Sequence, residues 1–135
     1  IQCVGLMYAG IPEKFPKLRI AFLECGAGWV PYWMERMDEE WEKRGDVEAP
    51  LCKQKPSEYI THGNWFFATE PEEEMLPYVI ERIGEDRIVF ASDYPHWDAL
   101  FPNVVSTIRG RKDISERAKE KILGKNANAL YGWND

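Results

Sequence analysis

Three short apolar runs, each about the length of a β-strand, limit what this chain can fold into. They are residues 18–23 (Leu-Arg-Ile-Ala-Phe-Leu), 64–68 (Asn-Trp-Phe-Phe-Ala) and 88–92 (Ile-Val-Phe-Ala-Ser). Nearly continuous apolar runs suit strands buried on both faces, whereas a strand with one wet face alternates. The stretches between them carry helical spacing. Strands that alternate with helices in this way build right-handed βαβ units, giving an α/β fold with a parallel sheet covered by helices. The 135 residues form a single domain, residues 1–135, and 44% hydrophobic content is enough for one core. Three strands are a small sheet, at most about the last three units of an eight-stranded barrel of about 250 residues.

The intervening segments read as follows. Residues 4–10 look like the last turns of a helix ended by Gly10 and Pro12. The chain starts at Ile1 rather than Met and enters this apolar segment at once, as though in mid-element. In residues 29–44, Trp29, Trp33, Met37 and Trp41 recur every four positions with Val30 and Met34 beside them, predicting an amphipathic helix with a buried tryptophan stripe, closed by Gly45. Residues 46–62 carry Pro50 and Pro56 and read as a long loop with one helical turn at 57–60. Thr69 and Glu72 offer a capping box, Pro77 fits only a first turn, and that helix ends at Gly84; Glu72, Glu73 and Glu74 read as its solvated start. Asp98 is an N-cap for a helix ending at Gly110. Asp113 with Glu116 caps another, stopped by Gly124, and residues 126–131 form a terminal turn.

Chemistry-bearing residues gather where strands end. Parallel strands carry functional groups at their carboxyl ends, so Glu24 and Asp93, each directly after a run, should face one mouth. In that position Asp93 either binds a divalent metal and moves a proton, or closes an Asx turn. His96 follows beyond Pro95, placed to bind a ligand or shuttle a proton. Gly26 and Gly28 allow backbone to approach a substrate, and the helix amides after them favour an anion. His62 precedes a strand, at the end away from Asp93, and reads as structural.

Other classes of function are excluded. A formal charge of −6 and a pI near 5.0, with no Lys/Arg cluster, argue against nucleic acid and anionic membrane surfaces as partners. No run approaches the roughly 18 apolar residues of a membrane span. Cys3, Cys25 and Cys52 lack metal-ligand spacing and fit reduced thiols, hence a cytoplasmic protein.

The segment Phe90-Ala-Ser-Asp-Tyr-Pro-His96, preceded by Gly84-Glu-Asp-Arg-Ile88, closely resembles the strand-eight signature of the amidohydrolase-related metal-dependent hydrolases, the aminocarboxymuconate semialdehyde decarboxylase-like group. Residues 15–20 and 23–33 resemble its strand six and following helix, and residues 126–132 its carboxyl terminus. The resemblance implies a partial (β/α)8 barrel comprising strands six to eight with C-terminal helices. It also implies a parent enzyme that hydrolyses or non-oxidatively decarboxylates a small carboxylic or aromatic substrate with a divalent metal, usually zinc. Asp93 matches the family's metal ligand and proton acceptor, Glu24 stands where many relatives carry a histidine beside the metal, and His96 lines the site. The family's other ligands, a His-x-His pair and a further His, have no counterpart here, so the isolated chain should hold no zinc tightly and turn over no substrate. Open strand edges should drive it into a homo-oligomer. The rival reading is a non-catalytic, self-associating fragment or binding module. A flavodoxin-like domain is disfavoured by the lack of a phosphate loop.

Overall fold

The computed structural model describes residues 1–133. The three apolar runs form β1 (Ile20–Phe22), β2 (Trp65–Ala68) and β3 (Ile88–Val89), all parallel, in the order β1-β2-β3. Ile20 lies opposite Trp65, Phe22 opposite Phe67, and Phe67 opposite Ile88. Strand side chains alternate between faces, so Ile20, Phe22, Trp65, Phe67 and Ile88 enter the main core beneath the helices. Phe66, Ala68 and Val89 form a smaller cluster on the other face, packed against Ala21 and Leu130. The Phe22 ring stacks on Trp65 and Phe67 at centroid distances of 5.6 and 5.4 Å, and Trp29 meets Phe22 and Phe67 edge-on.

The helices depart from the sequence expectations in instructive ways. Helix α1 (Gln2–Tyr8) leads through Gly10 into a one-turn helix, α2 (Ile11–Lys14), so Pro12 opens a helix rather than ending one. Gly10 sits at φ 69°, and a Cβ there would lie 2.4 Å from Leu51 Cβ, so this joint requires glycine. Helix α3 (Val30–Glu48) runs through Gly45, with a kink at Arg44. Its buried face is Val30, Met34 and Met37, whereas Trp33 is 36% exposed and Trp29 and Trp41 are half-buried. Trp29 and Trp41 still pack their rings against the core, so the stripe is buried in part and only Trp33 turns outward.

Pro56 stands in the first turn of α4 (Pro56–His62), which shortens the expected long loop to residues 49–55. Pro77 likewise sits in the first turn of α5 (Leu76–Ile83), as its spacing predicts. Helix α6 (Val104–Gly110) starts from Asn103, not from Asp98. Helix α7 (Glu116–Glu120) is capped by Ser115 Oγ, which accepts the Ala118 N–H at 3.1 Å. Asp113 pairs instead with Arg111 at 2.7 Å. Gly124 does not stop the chain: a π-helical turn, Lys121–Lys125, continues into α8 (Asn126–Tyr131). The buried Asn126 amide donates to the carbonyls of Glu85 (2.7 Å) and Ile88 (2.6 Å), tying α8 to the start of β3.

The three cysteines are free, with Cys3 and Cys52 buried and Cys25 exposed. Burial pushes the Cys3 thiol up to about 12. None of the described helices is long and apolar enough to cross a membrane.

Two tests follow from this packing. Phe67, fully buried at the centre of the aromatic stack, should cost about 3–5 kcal/mol in urea unfolding when replaced by alanine, against less than about 0.5 kcal/mol for Val47→Ala on the exposed side of α3. Equal costs would contradict the placement of the core. The second concerns Glu13, which accepts the Tyr59 hydroxyl hydrogen bond and pairs with Lys53. The bond from Tyr59, then Lys53, holds this carboxyl below the usual carboxylate range. Its contribution is therefore present above the unfolded-state value and lost as pH falls through the depressed one. Glu13→Gln should flatten the acid limb of the unfolding midpoint against pH; an unchanged limb would contradict the assignment.

Candidate functional site

Parallel pairing brings the carboxyl ends of all three strands to one side of the sheet. Glu24 and Asp93, beyond β1 and β3, take up φ values of 59° and 57°. Among the described residues they are the two non-glycine residues in the left-handed region. That conformation costs an L-residue about 1–2 kcal/mol, and such strain clusters where a side chain must be aimed. Both line a cavity of about 330 Å³, together with Thr69, Glu70, His96 and Asp98.

Asp93, His96 and Asp98 come closest together. Each offers a ligand atom, and these atoms all lie within 4.8 Å of one another. His96 Nδ1 is 2.9 Å from Asp93 Oδ1, and the backbone N–H of His96 donates to the Asp93 carbonyl at 2.9 Å, closing the turn that aligns them. Two carboxylates and an imidazole suit a divalent cation such as manganese or zinc, and three protein donors leave coordination positions open. Asp98, expected as a helix cap, belongs to this group instead. Glu24 lies outside the close set and enters the cavity from the end of β1, two strands away.

Glu70 has no reading from the sequence alone, and Glu73 reads there only as a solvated first-turn residue. Glu70 is the second residue past β2, the same kind of position as Glu24 and Asp93, and that rule would have found it. Partial withdrawal from water, then the charges of Asp93, Glu73, Asp98 and Glu24, hold its carboxyl above the usual carboxylate range. Glu73 had been read as part of a solvated first turn. Its carboxylate accepts the Ala27 N–H at 2.9 and 3.1 Å, the Gly28 N–H, and the Thr69 hydroxyl at 2.8 Å. Gly26 and Gly28, expected to line a substrate, do not line the cavity. A Cβ on either would lie 3.1 or 3.0 Å from Glu73 Oε1, so their small size admits Glu73 rather than a ligand.

The cavity wall therefore carries four carboxylates and one histidine, with no lysine or arginine among its lining residues. Beside it, Trp97 is 95% exposed and Tyr94 packs on Phe101 at 4.7 Å. His62 closes α4, on the side where β2 begins, away from this cavity.

The chain is similar in sequence and fold to several known proteins. The 2-amino-3-carboxymuconate-6-semialdehyde decarboxylase of Dictyostelium discoideum is 29% identical over 95% of this chain and 35% of its own length. The crystal structure of 5-carboxyvanillate decarboxylase from Sphingomonas paucimobilis matches with a TM-score of 0.79 at 29% identity, over 96% of this chain and 38% of that one. Dihydroxybenzoic acid decarboxylase from Polaromonas sp. JS666, solved with bound manganese and the inhibitor 2-nitroresorcinol, matches with a TM-score of 0.76 at 28% identity, over 98% and 39%. The chain thus spans little more than a third of the length of these proteins. The family profile described as Amidohydrolase matches residues 5–133, and with that match the chain belongs to the amidohydrolase family.

Proposed function

We propose that this chain supplies strands six to eight of a (β/α)8 barrel enzyme and, with them, one wall of its metal-dependent active site. The observation that carries the proposal is the convergence of Asp93, His96 and Asp98 at the carboxyl-end mouth of a parallel sheet. The relatives named above are decarboxylases, which favours non-oxidative decarboxylation of a small aromatic or unsaturated carboxylic acid over hydrolysis.

Asp93 would hold the metal, with His96 and Asp98 within reach to orient or join it. The bound cation, manganese or zinc, supplies positive charge that orients an anionic substrate and offsets charge developing on it. In decarboxylation the bond to the carboxyl carbon breaks, CO2 leaves, and the electron pair left behind takes a proton. Asp93 and His96, 2.9 Å apart, form the pair that holds and hands over that proton. The exposed aromatic rings of Tyr94 and Trp97 give a planar substrate an apolar neighbour at the rim. With its own residues the chain presents only a shallow, mostly acidic set of donors, so it should bind metal weakly. The outer edges of β1 and β3 are open to strands from the rest of a barrel or from a second copy, which makes a homo-oligomer the expected state of the chain alone.

The test has two parts. After dialysis the chain should retain well under one equivalent of zinc or manganese by elemental analysis. In a full-length enzyme that contains it, Asp93→Asn should lower kcat for CO2 release by about 10²-fold or more, as expected for loss of a proton-transferring group. Stoichiometric metal on the chain alone would remove the need for other ligands, and an active Asp93→Asn enzyme would overturn the role of Asp93.

A further inference from the structure

We infer that Glu73, which lies outside the cavity lining, is the positioning residue that sets the spacing of the cavity's carboxylates. The inference rests on the reading of that cavity as the active site. Three of the carboxylates come from different loops: Glu24 follows β1, Glu70 follows β2 and Asp93 follows β3. Neighbouring strands fix where each loop starts, but nothing in strand pairing fixes where a side chain two to four residues further on comes to rest. The loop after β1 and the loop after β2 need a direct tie, and Glu73 is that tie. Its carboxylate reaches back 45 and 46 residues to the amides of Gly28 and Ala27.

Four features make this more than a chance surface contact. The single N–H of Ala27, whose side chain is fully buried, is shared between both carboxylate oxygens, and the Gly28 N–H adds a second donor to one of them. The Thr69 hydroxyl holds the same carboxylate from within its own loop, on the residue that precedes Glu70. Glu73 also packs tightly on Gly26 and Gly28, where an added Cβ would stand 3.1 and 3.0 Å from its Oε1 and push it aside. Arg111, from the segment before α7, donates to the carbonyls of Pro71 and Glu73 at 2.9 Å each and fastens the far side of the loop. The strap that carries Glu70 is thus pinned at one end to the Glu24 loop and at the other to Arg111.

The same contact has a consequence for ligands. The Ala27 and Gly28 amides, in the turn that leads into α3, are donors that an anionic group could otherwise take at this end of the sheet, and Glu73 occupies them from within. A substrate carboxylate is therefore held by the metal side of the cavity and not by the glycine loop.

Backbone amides of the full chain, followed by nuclear magnetic resonance, test this in the wild type, Glu73→Ala and Gly28→Ala. The last variant displaces Glu73 without removing it. In both, Ala27 and Gly28 amides should exchange about tenfold or more faster than in the wild type, the loss of a charge-assisted hydrogen bond, while those of Phe67 and Ile108 stay unchanged. Formate, which fits the vacated place, should restore protection in Glu73→Ala and not in Gly28→Ala. Manganese chloride should broaden His96 in all three proteins, while the Glu24 and Glu70 amide resonances should shift from their wild-type positions in both variants. Unchanged exchange at Ala27 and Gly28 in Glu73→Ala, Glu24 and Glu70 amide resonances unshifted in that variant, or uniform loosening of the core without response to formate would each overturn the inference. Manganese that leaves His96 sharp in the wild type would refute the metal reading instead, with exchange and formate still deciding the role of Glu73.

Discussion

Parallel pairing of β1, β2 and β3 is the constraint on which the rest depends. It forces the three strands to end on one side, so a carboxylate placed shortly after each of them cannot avoid its neighbours. Glu24, Glu70 and Asp93 converge for this reason. Below these ends lies the stack of Phe22, Trp65 and Phe67. Burying it beneath α1, α3 and α5 holds the strands together while their ends carry a concentration of like charge that contributes nothing favourable to folding.

That charge explains much of the local architecture. Four carboxylates around one small cavity repel one another, and two of them occupy left-handed backbone. Strain and repulsion of this kind persist only where the surroundings over-determine the geometry. Here they are the Ala27 and Gly28 amides, Thr69 and Arg111, all acting through Glu73 or its loop. A divalent cation among Asp93, His96 and Asp98 would relieve the repulsion. Apolar sheet and acidic mouth are thus opposing contributions, one stabilising the fold and the other poised for a ligand.

Much of this was legible in the sequence, because the dominant signals are local. Each apolar run became a strand, shortened at its ends, and the placement of Glu24 and Asp93 after strands pointed to a common mouth. Local signals misled where one residue type does two jobs. Pro12 and Pro56 read as breakers but stand in first turns; Gly124 reads as a stop but lies within a continuous helical run, whereas Gly45 directly follows the break in α3 at Arg44. The tryptophan stripe held in part, with Trp29 and Trp41 against the core and Trp33 turned outward. Glu73 was out of reach for a different reason: its partners lie 45 and 46 residues away, and no pattern within its own helix start encodes them.

The central claim is that the wall formed by this chain meets a metal through Asp93, with His96 and Asp98 beside it. Crystals of the chain soaked in manganese chloride and measured at the manganese absorption edge test it most directly. The claim predicts one anomalous peak at the mouth of the sheet, within coordinating distance of Asp93 and bordered by His96 and Asp98. A peak confined to the acidic outer surface of α3, or one between Glu24 and Glu70 that leaves Asp93 uncoordinated, would contradict it.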